Sequence, residues 1–239
     1  MDWLYGKGKI VVNLLLAALM IALYLATSAP AAQSAMSDLY NSPVYRGHKK
    51  GVVAIECAVS WNAAALSDLL ALLRERNLQI TFLVSGEWAE QNPALLQEMA
   101  KGGHEIGTLG QDPARDGDEK TVEQDLAQSV KAIGTLSGVY PELYYSGARR
   151  LGASAEAARR LGLTHVLCTV DLLSGRGNAQ DILLRALDKP FDGSILLIQP
   201  TAEAVKAMPA CIDGLAKKGF RVVTVSATLG DNIQKEVKV

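Results

Sequence analysis

The stretch Gly102–Pro113, GGHEIGTLGQDP, carries the residue types of an approach to a metal site. A glycine pair ends a helix, a short strand follows, and a polar loop begins. Yet the loop itself offers only Asp112 as an oxygen ligand. Elsewhere the groups able to hold a cation or move a proton are sparse. Glu56 lies in the apolar run GVVAIEC, Asp171 in TVDLLSGRG, and the three histidines are His48, His104 and His165. Two carboxylates without a histidine make at best a weak cation site, and the histidine spacing suits no metal pair. No Ser/His/Asp order and no glycine-rich phosphate loop is present.

The elements that must position these residues alternate regularly. Strand-like runs (GVVAIEC, QITFLVS, HEIGT, ELYYS, THVLCTV, GSILLIQP, FRVVTVS) are separated by segments with apolar residues at helical spacing. NAAALSDLLALLRERN reads as a helix with Asn62 as its cap, and EWAEQNPALLQEMAKGG as a helix divided at Pro93. Strands alternating with helices imply a parallel sheet, and strands this apolar imply a closed or nearly closed α/β barrel with its helices outside. Ligands of such folds bind just beyond the C-terminal strand ends. Glu56 points to the same side as Ala58, one pleat lower, towards the interior. It reads either as a displaced ligand or base, or as the partner of an interior donor. Trp61, Trp88, Tyr144 and Tyr145 fall near strand ends, where they would form an aromatic platform for sugar rings or pack the barrel mouth.

The chain has 239 residues and a formal net charge of -1. That length suits one domain with a substantial core, and the charge balance leaves no basic footprint for nucleic acid. The arginines of GARRLG and AARRLG therefore read as solvated faces. Cys57, Cys168 and Cys211 cannot all pair, show no C-x-x-C spacing and read as small buried residues.

Ile10–Ala26 is about 17 residues, apolar except for Asn13, enough for a helix rising roughly 26 Å. Lys7 and Lys9 precede it and no basic residue follows closely, which leaves the N-terminus in the cytoplasm and sends the rest across. The expected organisation is a short cytoplasmic N-terminus (1–9), a transmembrane anchor (10–28), a linker (29–49), a domain (50–230) and a charged tail (231–239). The APA sequence near residue 30 keeps a cleavable signal peptide, and hence a secreted domain, as the alternative.

Read in order, the segments resemble the polysaccharide deacetylase (NodB-homology, carbohydrate esterase 4-like) family over roughly Lys50 to Leu229. ITFLVSGEWAEQNPALLQEMAKGGHEIGT resembles the family's strand–helix–strand core. GSILLIQP followed by MPACIDGLAKKGFRVVTVSATL resembles its ending. The Ser60-Trp61 pair in VVAIECAVSWN is similar to a sporulation-associated subgroup. The resemblance implies a deformed (β/α) barrel and metal-assisted removal of N-acetyl groups from glycans, in which the metal activates a water and positioned groups move the protons.

Placed residue by residue, the resemblance puts the base at Ala58, metal ligands at Val59, Leu109 and Pro113, and the acid at Gln199. Tyr144 or Tyr145 stands where the family has an arginine. Asp171 alone matches a later family motif, and His104 corresponds to an ordinary histidine before the metal loop. Ala, Val, Leu and Pro side chains have no lone pair for a divalent ion. The expectation is a degenerate site: a membrane-anchored, extracytoplasmic pseudoenzyme without a cofactor, binding a cell-wall glycan or an envelope protein. The alternative is an active hydrolase of C–N bonds with a divalent metal such as zinc, rebuilt around Glu56, Asp112 and Asp171.

Overall fold

The structure is a computed structural model and describes residues 12–25, 42–60, 63–147, 149, 151–188 and 190–230. Residues 12–25 form helix α1, with almost every side chain exposed. It covers the middle of the run read as an anchor; the ends of that run lie outside the described residues. Among the described residues no helix is long and apolar enough to cross a membrane. The tail 231–239 also lies outside them.

The second unit begins at Pro43 and holds one parallel sheet. Its strands are β1 (Val52–Val59), β2 (Thr81–Val84), β3 (Glu105–Thr108), β4 (Leu143–Tyr145), β5 (Thr164–Val166), β6 (Val170–Asp171), β7 (Ile195–Ile198) and β8 (Arg221–Val223). The order is β5-β4-β3-β2-β1-β7-β6, with β8 paired to the start of β1. Chain order runs outward from β1 through β2 to β5, while on the other side β7 lies next to β1 with β6 beyond it, and the sheet curls into a half-barrel. The single strand expected from THVLCTV is two short ones, β5 and β6, at opposite ends of the sheet.

Crossover helices return the chain after most strands: α2 (Leu66–Glu75), α3 (Gly86–Gln91), α4 (Pro93–Lys101), α5 (Glu119–Ser137), α6 (Leu151–Arg160), α7 (Ala179–Leu187), α8 (Ala202–Lys217) and α9 (Val225–Leu229). Local chemistry sets their ends. Ser85 Oγ accepts from Trp88 N to start α3, and Pro93 opens α4 at a position where its missing N–H costs nothing. Asp118 caps α5, and Gly138 closes it at φ 78°. α2 begins at Leu66, later than expected, and the proposed cap Asn62 lies outside the described residues.

β1 runs through the centre of the core. Val53, Ile55, Cys57 and Val59 face the helices, packed against residues such as Leu69, Phe82 and Met99. Ala54 and Ala58 face inward, with Leu83, Leu109, Leu143, Val166 and Ile195. Burial on both faces explains why this strand reads as a continuous apolar run.

The segment expected as the end of the linker is part of the fold. Val44 bridges Val166 of β5, and Arg46 bridges Ser194 just before β7. Thr169 Oγ1 donates to the Tyr45 carbonyl at 2.5 Å and Gly47 N to the Gly193 carbonyl at 2.8 Å. These residues link β5 and β7, which do not pair directly, and satisfy backbone groups that an open edge would leave exposed.

Candidate functional site

The mouth lies at the C-terminal ends of the strands. Ala58 ends the inward face of β1, half-buried, against the cluster that contains Leu109 and receives the Tyr145 ring. Val59 points to the other face and is fully buried among the helix-facing apolar side chains. Pro113 is half-buried beyond β3. Gln199 is exposed after β7; Ser174 Oγ accepts from its backbone N at 2.6 Å, and its side chain lies against Gly175. None of these side chains offers a carboxylate or imidazole.

Glu56 lies inside the barrel beneath Ala58, 0% exposed, and neither of its oxygens has a hydrogen-bond partner among the described residues. Its register neighbours are Thr81 and, across β2, Glu105. Burial, reinforced by the Glu105 charge, raises the Glu56 carboxyl from its ordinary 4.5 to about 8. The group is therefore a neutral acid at pH 7, which removes most of the desolvation penalty of a buried charge. Glu105 is held by Thr81 Oγ1 at 2.6 Å and Ser226 N at 3.2 Å. Towards the β4–β6 side Tyr145 and Cys168 lie within electrostatic reach of Glu56. Burial raises both groups, Cys168 to about 11, so both are neutral.

The structure does not bring the three rebuilt-site carboxylates together. Asp112 Oδ1 accepts from Ala114 N at 2.9 Å and Asp171 Oδ1 from Leu173 N at 2.8 Å, so each stabilises its own turn. Among the described residues no group of three His, Cys, Asp or Glu side chains could hold a metal ion. The donor set at the family positions does not fit a hard divalent cation, because its members are apolar.

His104 Nδ1 accepts from Ile80 N at 3.3 Å, and its ring meets Phe82 edge-on, a packing role. His165 stacks on Tyr144 with Nε2 2.9 Å from Ser146 Oγ, and burial lowers it to about 4. His48 is exposed.

The aromatic platform is corrected. Trp88 is 5% exposed and packs in the core between sheet and helices. Tyr144 is fully buried on the outer face of β4 with Val122, Leu126 and Ala157. Strand alternation sends only Tyr145 towards the mouth, where it is half-buried. Trp61 lies outside the described residues.

Arg149, read as a solvated arginine, is buried. Its Nη2 pairs with Asp125 Oδ2 at 2.7 Å and also donates to the Asp112 carbonyl. Asp125 Oδ2 accepts from Gln111 N at 3.1 Å, and Oδ1 from Asp112 N at 3.0 Å. The loop that carries ligands by family resemblance is thus held by an internal ion pair. Asp125 was legible in principle: it falls on the stripe of Val122, Leu126, Ser129 and Ile133, the buried face of α5. Arg159 and Arg160 are exposed as expected, paired with Glu156, Glu119 and Glu123. Arg150 lies outside the described residues.

A curled parallel half-barrel with its site at the strand ends defines the class as a NodB-type α/β domain. The family model for polysaccharide deacetylase matches residues 48–166, and the chain belongs to that family. The YlxY protein of Bacillus subtilis (strain 168) is 27% identical over 203 residues, covering 82% of this chain and 63% of that protein. The peptidoglycan-N-acetylglucosamine deacetylase PgdA of Listeria monocytogenes is 24% identical over 180 residues, covering 72% of this chain and 38% of that protein. The chain therefore spans less than two thirds of the length of these relatives. Among solved structures, a CE4 family pseudoenzyme from Bacillus anthracis superposes with a TM-score of 0.76 at 22% identity, covering 82% of this chain and 71% of that one. That likeness concerns the fold.

Proposed function

We propose that this protein is a non-catalytic, polysaccharide-deacetylase-like domain, anchored in the cell membrane and facing outward. In this reading it acts in the cell envelope or in spore formation by binding a glycan or a protein partner. The observation that carries the reading is that Ala58, Val59, Leu109, Pro113 and Gln199 stand where the resemblance places the base, the metal ligands and the acid. The similarity of fold to a pseudoenzyme supports it. A metal-bound water is the usual source of a nucleophile for amide hydrolysis at neutral pH, and these side chains cannot hold the ion.

The rebuilt site around Glu56, Asp112 and Asp171 is the competing reading. It is disfavoured because Glu56 lies beneath the floor and the two aspartates are engaged in their own turns. The test is to incubate the purified protein with N-acetylated glycan oligomers and excess zinc, cobalt or manganese and to measure released acetate. Release equal to the buffer blank is expected. Chelator-sensitive turnover would sink the proposal. Placement is tested separately: a reporter fused after residue 239 should be active outside the cytoplasm, in the membrane fraction. A mature form beginning near Ala32 or Gln33 would instead mean cleavage and secretion.

A further inference from the structure

The end of the barrel opposite the mouth gathers cations from three separate stretches of chain. Gly51 N donates to Asp192 Oδ1 at 2.7 Å, Arg221 N donates to the Gly51 carbonyl at 2.9 Å, and Gly47 N donates to the Gly193 carbonyl at 2.8 Å. These bonds bring together the segment before β1, the turn before β7 and the turn between α8 and β8. The segments carry Arg46, Lys49, Lys50, Lys217, Lys218 and Arg221, all exposed, and none of the six makes an ion pair among the described residues. The acids of these stretches are Asp188 and Asp192, besides Asp213, which already pairs with Arg76 at 2.8 Å. In a chain whose net charge is -1, these three stretches carry a local excess of positive charge.

Two exposed aromatic rings lie in the same place. Tyr45 is 49% exposed and Phe191 40%, and the Arg46 guanidinium sits 5.8 Å from the centre of the Phe191 ring. Lys217 and Lys218 lie at the carbonyl end of α8, where a cation is favoured anyway. Arg46, Lys49, Lys50 and Arg221 have no such helix end to explain them.

We propose that this face docks on an anionic phospholipid surface, the cations meeting phosphates and the Tyr45 and Phe191 rings entering the headgroup layer. Cations beside amphipathic rings are the usual chemistry of interfacial contact. The folded unit begins at Pro43, two residues before Tyr45. If the apolar run spans the membrane, about 14 residues separate its end from Pro43, so the folded unit stays within roughly 50 Å of the bilayer. That tether would keep this face at high effective concentration beside the bilayer. The tether rests on the anchored reading; the patch does not.

The test uses the full chain with vesicles of phosphatidylcholine alone or with phosphatidylglycerol added, followed by amide hydrogen exchange. Protection of residues 44–52 and 216–222 should appear only on the anionic vesicles and vanish at high salt, which screens exposed charges. At about fivefold per lysine, the variant K49S/K50S/K217S/K218S should lower the ratio of docked to undocked protein on the order of several hundred-fold. Equal exchange on both vesicle types would overturn the proposal, as would equal protection by soluble polyphosphate without lipid. Failure to float with phosphatidylcholine vesicles would overturn the anchor instead; flotation with the anionic vesicles would then still report docking.

Discussion

Asp125 and Arg149 meet at 2.7 Å, both side chains almost completely buried, and together they hold the Gln111 amide and both backbone groups of Asp112. The metal loop of the resemblance is therefore tied to α5 and to the segment before α6 by charge. The pair gives the loop a defined course that needs no cation at its tip.

Removing one member should be costly, because the other is left as an unpaired buried charge. Arg149→Met or Asp125→Ala should destabilise the domain by about 3–5 kcal/mol in chemical denaturation. Gly110→Ala should cost about 1–3 kcal/mol, since Gly110 has φ 93° and a Cβ there would collide with the Asp125 carboxylate. Losses well under 1 kcal/mol would show that the loop holds its course without the pair.

Buried groups shifted in opposite senses set the pH dependence. Glu56 is raised from 4.5 to about 8, so the unfolded chain releases its proton first and stability falls as pH rises between those values. The full loss is on the order of 5 kcal/mol. His165 is lowered from 6.5 to about 4, so its contribution is present above 6.5 and lost as pH falls towards 4. The wild type should lose stability from about 6.5 to 8, whereas below about 6.5 the loss from Glu56 is offset by the rise from His165, to which His104, also lowered by burial, adds in the same sense. Glu56→Gln should abolish the loss at high pH and leave only the rise from low pH. A thermal melt series from pH 4 to pH 9 reads both arms, and an unchanged profile in Glu56→Gln would refute the assignment.

Restoring single family residues should not restore chemistry, because such groups act as a unit. Ala58→Asp should release no acetate from N-acetylated oligomers. Val59→Asp should also destabilise by about 2–5 kcal/mol, since it places a carboxylate among helix-facing apolar side chains. A folded Val59→Asp protein of unchanged stability that binds zinc would contradict the buried placement of this residue.

The aromatic residues should separate by readout. Trp88→Ala should cost about 3–5 kcal/mol, as expected for a core aromatic. Tyr145→Ala should leave a folded domain and weaken any glycan retention measured by affinity electrophoresis. If Trp88→Ala weakened glycan retention while leaving the melting temperature unchanged, its core placement would be wrong.

The chain's amino acids by themselves settled the class of fold. Apolar runs of strand length, separated by segments of helical period, specify a parallel sheet covered on both faces, because no other arrangement buries β1 on both sides. The long collinear motifs also settled the family, and the side-chain types show that Ala58, Val59, Leu109 and Pro113 carry no carboxylate or imidazole. Direction and depth were not legible. Trp88 and Tyr144 look like mouth residues in sequence. Only the pleat of β4 and the packing of α3 show that both are in the core, because one residue along a strand reverses the face. Residues 43–49 have a linker's composition, yet their backbone groups complete the sheet. Arg149 carries the charge of a surface residue and is buried because Asp125, a distant residue on α5, meets it there. Such pairings are contacts across the fold, and local spacing does not encode them.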